Sequence, residues 1–517
     1  MPRHKEKTVT PSPVRVMQEA EPDALPSGSP HLPPFEVAEL PPYPGSFWRV
    51  VGPGAVLLGL SIGAGELIIW PTVVGRYGAG MIWAAGVGIL LQMIINLELA
   101  RYALATGETA YTGYARLWRG FAHIFILLTL TSWLLPGWAR SCGEAVRALV
   151  LGPQVTAHDG GPDWAWTTLT FAAVAVILFG PKIIYRSVEI STEVMVVIIL
   201  VGLIVLALFM GTSDTWARLG RGVLNLGHKE PDVSYAEFFS WIVFAGAGGT
   251  ANLFYTFYLR DKNLGMGIHV PVLTNILRDR SPRDSLTGYR FPDHPVQQRR
   301  WRQWWRHAVQ DQVLFFWFLN SVTILLFIFA SLAVVFPLTE QGVITWQGTK
   351  AFYEGKEISF LALEALVLGR FFRGATTIFL LVAVATLLST QLTLVDGVSR
   401  SLADIIHTNF RAARSRPLGF WYAVTAIAWI VLGCLLTYVL ETSTRAQSFL
   451  FLTGFSGGIA MALYCPLTLL MNRRFLPRSA RPGWLMTALM IGVSAFYIGY
   501  AASSVIAPIV SWVTSRL

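Results

Sequence analysis

Eleven stretches of this chain are apolar for long enough to cross a lipid bilayer, and this limits the possible folds more than any other feature. A bilayer core about 30 Å thick requires about 20 apolar residues of helix. Because no water bonds to peptide groups there, only helices and closed barrels span it. Only 14% of the residues are charged, against about 25% in soluble domains. The predicted spans lie near 50–75, 79–100, 121–150, 164–181, 189–211, 237–259, 309–336, 374–404, 418–440, 447–471 and 484–512.

Basic residues are concentrated in alternate loops, which predicts the orientation of the chain. The loops after the second, fourth, sixth, eighth and tenth spans carry arginine or lysine, and the others are sparse or mixed. Since positive loops stay inside, we expect the N-terminus in the cytoplasm of a multi-pass protein of the plasma (inner) membrane. This topology explains the net charge of +10 without a nucleic-acid partner, and the expected neighbours are membrane lipids.

Two segments outside the spans differ in composition. Residues 1–46 are rich in proline, serine and acids and contain no continuous apolar run, which predicts a disordered cytoplasmic tail. Residues 260–306 form a basic insert rich in arginine and tryptophan. We interpret the insert as a cytoplasmic loop, and an amphipathic helix on the anionic inner leaflet is the alternative. The transmembrane domain is expected over 47–512.

The first span contains a break. In "SIGAGELIIW", which begins at Ser61, Gly63 and Gly65 flank Ala64 and are followed by an acid, Glu66. Glycine costs about 1 kcal/mol relative to alanine inside a helix, and intramembrane acids mark functional sites by default. A carboxyl group beside an interrupted helix therefore predicts a fixed charge or a protonatable site.

The sixth span repeats the feature in "FAGAGGTAN", which begins at Phe244. Gly246, Gly248 and Gly249 interrupt it, and Thr250 and Asn252 follow. Close helix packing is the structural alternative, because small residues let membrane helices approach. However, paired interruptions in matching halves indicate a secondary-transporter site. Repeats of five helices, over about 48–212 and 237–472 with an extra helix at 484–512, would be inverted.

Freed carbonyls attract cations and freed amides attract anions at such breaks. We therefore predict that the two breaks, with polar residues of the eighth span, form the substrate site. The candidate substrate-binding residues are Gly63, Ala64, Gly65, Glu66, Gly246, Gly248, Gly249, Thr250, Asn252, Ser389, Thr390 and Gln391.

At these residues the chain resembles the natural resistance-associated macrophage protein (Nramp) family of divalent-metal transporters. The resemblance covers roughly 48–512 and includes "GPGAVLLGLSIGAGELIIW" from Gly52, "YRSVE" from Tyr185, "STQLT" from Ser389 and "NRRF" from Asn472. It implies the all-α leucine-transporter-type fold of the amino acid–polyamine–organocation superfamily, with a 5+5 inverted repeat, broken helices 1 and 6, and transport by alternating access.

The departures from the family pattern fall on the chemistry. The family's first-helix motif is Asp-Pro-Gly-Asn, whereas this chain has residues 63–66, Gly-Ala-Gly-Glu. The family's sixth-helix motif is Met-Pro-His-Asn, and residues 249–252 here are Gly-Thr-Ala-Asn. In the third span, Gly137 and Arg140 align with the family's Asp and Glu of the proton path. The resemblance therefore predicts a divergent member that lacks the usual metal ligands.

The remaining ligand set consists of oxygen donors, which suit hard ions. With the family resemblance, this favours a hard divalent metal cation, Mg²⁺ or Mn²⁺, as the substrate at the two breaks, with Glu66 and Asn252 as the metal ligands. The alternatives are a small amino-acid-like organic solute and a ligand sensor that does not transport. A coupling ion is possible. We expect no cofactor and no enzyme activity, because the spans contain no Ser/His pair, HExxH or phosphate loop.

Other polar residues are expected to form local pairs. Glu98 is predicted to meet Arg101, Glu189 to meet Arg186, and Arg140 and Arg147 to meet Glu144. Two further expectations concern position. His307 and Asp311 are predicted at the membrane interface, and Asp396 either completes the substrate pocket or faces its cytoplasmic mouth.

Overall fold

The three-dimensional structure is a computed structural model that describes residues 31–155, 157–274, 288–335, 338–339, 342–343, 360–440 and 446–506. Helices dominate this part of the chain. Two short strand pairs complete it: β1 (Glu36–Val37) lies parallel to β2 (Tyr289–Arg290), and β3 (Leu338–Thr339) lies antiparallel to β4 (Gly342–Val343).

The helices of the first half of the chain are α1 (Pro53–Ser61), α2 (Trp70–Tyr77), α3 (Trp83–Thr106), α4 (Ala110–Leu117), α5 (Phe121–Trp133), α6 (Gly137–Leu151), α7 (Ala157–Gly160), α8 (Asp163–Phe179), α9 (Ile184–Met210) and α10 (Ser213–Leu224). Those of the second half are α11 (Tyr235–Val243), α12 (Ala251–Asp261), α13 (Pro295–Asp311), α14 (Asn320–Val335), α15 (Phe360–Leu368), α16 (Ala375–Asn409), α17 (Leu418–Val439), α18 (Ala446–Phe475) and α19 (Trp484–Ala501). π-Helical stretches, Gly65–Ile69 and Gln312–Leu319, lead into α2 and α14.

Within the described residues, nine helices are long and apolar enough to cross a membrane. Two further predicted spans have a different form. The one near 164–181 is the shorter apolar helix Asp163–Phe179, and the one near 237–259 is divided into α11 and α12. The end of the last predicted span, beyond 506, lies outside the described residues.

Residues 31–46, the end of the predicted tail, differ from the prediction because they pack on the helices. Phe35 and Leu40 are buried, and the Leu40 backbone N–H donates to Gln297 Oε1 at 2.9 Å. The Trp304 indole donates to the Pro41 carbonyl at 2.9 Å. Proline and acids do not prevent this packing, because a few apolar side chains reach pockets between helix ends. Residues 1–30 lie outside the described part.

These contacts lie at the end of the helix bundle that we call the basic end. It carries exposed arginines from α13 and from the turn after α18, and it is the side predicted to be cytoplasmic. The arginines are Arg299, Arg302, Arg306, Arg478 and Arg481. Of the predicted insert 260–306, residues 275–287 lie outside the described part.

The structure shows ion-pair partners that the sequence analysis did not identify. Arg140 Nη2 lies 3.0 Å from Asp163 Oδ2, and Arg147 contacts the other oxygen of the same carboxylate. Glu189 accepts from Lys262 Nζ at 2.7 Å, where Arg186 had been expected. Sequence proximity is a weak guide here, because each partner comes from another element.

The remaining polar predictions concern burial. Glu98 meets Arg101 at 2.8 Å as predicted, but the pair is buried. His307 and Asp311 are each 1% exposed, so both side chains are buried within the protein, and their place at the membrane interface stays a prediction.

The pair of Arg116 and Glu108 at the basic end supports a stability prediction. Arg116 is 1% exposed and its Nε lies 2.9 Å from both oxygens of Glu108. Burial alone would lower the pKa of Arg116, but Glu108 outweighs burial and raises it. Arg116→Ala would leave a buried, unpaired carboxylate, so we expect a loss of about 3–5 kcal/mol in a thermal or denaturant unfolding experiment.

The matched control is Arg218→Ala. Arg218 pairs with Asp214, and both side chains are about one third exposed. An exposed pair contributes about 0–1 kcal/mol, so its loss is expected to have little effect. Equal losses in the two variants would contradict the prediction.

Candidate functional site

The first break separates α1 from α2. Helix α1 ends at Ser61, and Ile62 leaves helical geometry with ψ of 89°. The chain then re-enters through the π-helical turn Gly65–Ile69. The carbonyls freed at the end of α1 point to α16: Gly59 O accepts from Ser389 Oγ at 2.9 Å, and Ile62 O accepts from Thr390 Oγ1 at 3.2 Å.

The second break separates α11 from α12. Gly248 and Gly249 have φ of 66° and 50°, a conformation that favours glycine. A side chain on Gly249 would also press against the backbone of Gly457, because its Cβ would lie 3.0 Å from the Gly457 Cα. The backbone therefore requires glycine at these two positions for structural reasons, in addition to any role in binding.

Three polar side chains that the sequence analysis missed bond to four of the peptide groups at this break. Gln92 Oε1 accepts from Gly248 N–H at 2.8 Å, and Gln92 Nε2 donates to Val243 O at 2.9 Å. Tyr464 OH donates to Gly249 O at 2.8 Å, and Asn320 Nδ2 donates to Ala245 O at 3.3 Å. Gln92, in mid-span, is a polar residue in an apolar helix, which is the signal that could have identified it.

The two breaks meet. A side chain on Gly65 would collide with the carbonyl of Phe244, so the backbones approach closely there. Beside this contact lies a small cavity of about 20 Å³, which has room for about one water molecule. Five predicted site residues line it: Gly63, Ala64, Gly65, Gly246 and Thr390.

The rest of the cavity lining is mostly apolar and aromatic, and includes Leu60, Trp133, Trp138, Phe244, Ala247 and Leu394. Ser61 and Thr453 add hydroxyl groups. Among the described residues, no lining side chain is acidic or basic. The three large aromatic side chains were not among the predicted site residues, because their helices give no sequence signal that distinguishes them from core residues.

Seven predicted site residues do not line the cavity. Asn252 Nδ2 lies 3.3 Å from Gln92 Oε1 and 3.3 Å from Tyr464 OH, and Thr250 accepts from the Trp133 indole at 3.0 Å. The other five predicted residues that do not line the cavity are Glu66, Gly248, Gly249, Ser389 and Gln391. Gln391 is fully buried, and its amide has no hydrogen-bond partner within the described residues.

Glu66 is fully buried in the turn that packs against α14. Its carboxyl lies near the Thr323 hydroxyl, and neither oxygen makes a hydrogen bond of ordinary geometry within the described residues. The two predicted metal ligands, Glu66 and Asn252, therefore have different neighbours. The described residues contain no group of three or more His, Cys, Asp or Glu side chains that could hold a metal ion.

Five oxygen atoms converge where α1 meets α16. Ser389 Oγ lies 2.9 Å from both Gly59 O and Thr386 O. Thr390 Oγ1 lies 3.2 Å from Ile62 O and 3.1 Å from Thr386 O. Each hydroxyl has a single proton and two carbonyl neighbours, so the two protons cannot fully satisfy all four contacts. We call these atoms the five-oxygen cluster.

Asp396 lies one turn or more beyond this cluster on α16 and does not line the cavity. Its carboxylate accepts from Arg400 Nε at 2.8 Å and from Tyr422 OH at 2.8 Å. Arg400 also contacts Asp261 at the end of α12. Asp396 therefore belongs to a buried charge network toward the basic end.

Comparisons with known proteins identify the fold. No protein-family model and no curated relative matches this chain. A manganese transporter of Eremococcus coleocola matches with a TM-score of 0.59 at 16% identity, over 91% of this chain and 90% of that one. Mhp1, a nucleobase-cation-symport-1 family transporter solved with bromovinylhydantoin bound, matches with a TM-score of 0.52 at 15% identity, over 95% and 96%.

The chain has the leucine-transporter-type fold. The sequence-based prediction of an all-α membrane protein of this type, with interruptions in its first and sixth spans, is confirmed. Identities of this size establish the fold alone. Membership of the Nramp family stays a prediction, as do the boundaries of the two repeats and the orientation in the membrane.

Proposed function

We propose that this chain is a secondary transporter that carries a small organic solute by alternating access and couples it to a small monovalent cation, Na⁺. The observation that carries the proposal is the cavity between the two breaks. In transporters with discontinuous helices, substrate sites lie at such breaks near the bilayer midplane. At about 20 Å³ the cavity is much smaller than a pocket that holds a small molecule, about 300–1,000 Å³, so the half-helices must separate for a solute to enter.

The lining supports an organic solute over the divalent metal that the family resemblance implies. A divalent cation is normally held by carboxylates that balance its charge, and the described lining offers hydroxyl, carbonyl and aromatic groups instead. Trp133, Trp138 and Phe244 present large apolar faces there. Such surfaces favour an uncharged solute with a flat or apolar body, and Ser61, Thr390 and the freed peptide groups can orient its polar atoms.

The five-oxygen cluster supports Na⁺ as the coupling ion. Its donors are neutral oxygens, which suit hard cations, and they include carbonyls at the C-terminal end of α1, where the helix dipole is negative. A cation would satisfy all five oxygens at once, whereas two hydroxyl protons cannot. Thr390 belongs to the cluster and also lines the cavity, so ion and solute would be linked through one side chain.

The test is a thermal-shift screen of the purified protein with small metabolites, each measured in NaCl and in KCl, followed by uptake into proteoliposomes. A ligand that binds the native state raises its apparent stability. We expect a solute whose binding and uptake require Na⁺. Stabilisation by Mg²⁺ or Mn²⁺ alone would favour the metal transporter, and binding without uptake would favour a sensor.

Glu66→Gln separates the solute and metal interpretations. Because the Glu66 carboxyl faces α14 and does not line the cavity, we expect solute affinity to stay within about twofold, as for a change outside the contact surface. Titration calorimetry with the solute found in the screen measures this. If the wild type bound Mn²⁺ and Glu66→Gln did not, the metal interpretation would replace the proposal.

A further inference from the structure

Two carboxyl groups lie against the N-terminus of α1, on the side of the cavity that faces the basic end. The Asp311 carboxyl lies directly beside the Gly54 backbone. On the other side, a side chain on Gly52 would collide with the carboxylate of Glu189. In the same way, there is no space for a side chain on Gly54 beside the Asp311 carboxyl group. Only glycine at both positions lets the carboxyl groups approach this closely, and the first amides of a helix otherwise lack partners.

The same two carboxyl groups also hold α12, the half-helix that follows the second break. Tyr255 OH donates to Asp311 Oδ2 at 2.7 Å. Lys262, which directly follows α12, donates to Glu189 Oε1 at 2.7 Å. Each acid therefore contacts both half-helices, although Glu189 comes from α9 and Asp311 from the end of α13.

These contacts lie between the cavity and the basic end. Helix α1 leads from Gly52 to the cavity residue Ser61, and α12 leads from the second break to Lys262. The most apolar part of Pro53–Met81 is entirely buried in the protein. The structure is therefore closed along α1. A path from the cavity to the basic end requires α1 and α12 to separate.

We infer that Glu189 and Asp311 form a double clamp, in which each carboxyl group ties α1 to α12 and keeps the cavity closed at the basic end. Opening on that side then requires both carboxyl groups to release the N-terminus of α1. Glu189 and Asp311 are positioning residues, since they act on the substrate site through the half-helices. The inference rests on the proposed function, because it explains how the proposed substrate site is kept closed on one side of the membrane.

The test measures access to the cavity from each side of the membrane. In a background with Cys142, Cys434 and Cys465 replaced by alanine, Leu394→Cys places a reporter in the cavity lining. The protein is reconstituted in vesicles of known orientation, and a charged maleimide is added outside or trapped inside. The variants are Asp311→Ala, Glu189→Ala and the milder Tyr255→Phe, which removes only one hydroxyl.

Each variant is expected to raise the labelling rate from the basic end by about three- to tenfold, the effect of losing one or two hydrogen bonds, without a change from the opposite side. The control is Glu193→Ala, because Glu193 is exposed one turn further along α9, and it should label like the parent. Unchanged labelling in all three variants, or equal acceleration from both sides, would overturn the clamp.

This assay needs no substrate, so the clamp and the proposed function can fail separately. If labelling responds as expected while neither Na⁺ nor any solute alters it, the clamp is supported and the proposed function fails. If the variants label like the parent while Na⁺ still promotes solute binding, the function stands and the clamp is wrong. Melting temperatures of all variants identify any that do not fold, and Tyr255→Phe then provides the decisive comparison.

Discussion

The substitution Ala247→Phe is expected to weaken solute binding strongly and to reduce uptake accordingly, while the protein stays folded. Ala247 lines the cavity between the two breaks and is 6% exposed. A phenyl ring there would occupy much of the space that the solute needs. Binding would then require overpacking that costs up to about 3 kcal/mol, so we expect affinity to fall by about a hundredfold. Calorimetry with the solute from the screen measures the loss.

The control for this prediction is Ala172→Phe. Ala172 lies on α8 and is exposed on the bundle surface, so the added ring fills no internal space. The Ala172→Phe variant should bind and take up the solute as the parent protein does. If Ala247→Phe bound solute normally and melted like the parent, the cavity would not be the substrate site.

The two breaks could be predicted because they depend on local chemistry. Glycine clusters in apolar helices are costly, and Gly248 and Gly249 do adopt left-handed geometry. Their structural partners could not be predicted in the same way. Gln92, Asn320 and Tyr464 come from three separate helices, and an isolated polar residue in an apolar span gives no information about the helix it will face.

The direction of Glu66 could not be derived from helical periodicity either. It lies in the π-helical turn Gly65–Ile69, where the rotation per residue differs from that of an α-helix. The periodicity of α1 therefore does not determine the face on which Glu66 lies. Asp163 was missed as an ion-pair partner for a related reason: pairing Arg140 and Arg147 with Glu144 considers only neighbours along one helix, whereas Asp163 reaches both arginines from the start of α8.

The breaks also explain why so many polar residues are buried in this bundle. Peptide groups freed within a membrane must be satisfied by protein or must line a cavity. Here Gln92, Tyr464 and Asn320 bind peptide groups of the second break directly. The carbonyls at the end of α1 differ, because they share two hydroxyl groups with Thr386 O. That shortage of donors distinguishes the five-oxygen cluster from these four peptide groups of the second break, each of which has its own side-chain partner.

Removing either hydroxyl of the cluster is therefore expected to remove most of the Na⁺ dependence of solute binding. Ser389→Ala and Thr390→Ala each delete one of the five oxygens. We expect at least about a tenfold rise in the Na⁺ concentration that gives half-maximal binding. Titrating Na⁺ at fixed solute concentration, with K⁺ keeping the ionic strength constant, measures this change.

Thr393→Ala is the matched control for both variants. Thr393 is equally buried on α16, but its hydroxyl bonds to carbonyls of its own helix, Ser389 O at 2.7 Å and Thr390 O at 3.2 Å. Its removal should leave the Na⁺ titration unchanged, because no oxygen of the cluster is lost. If Thr393→Ala shifted the titration as far as the other two variants, the effect would reflect helix stability. A specific shift in Ser389→Ala and Thr390→Ala requires that the ion contacts their oxygens.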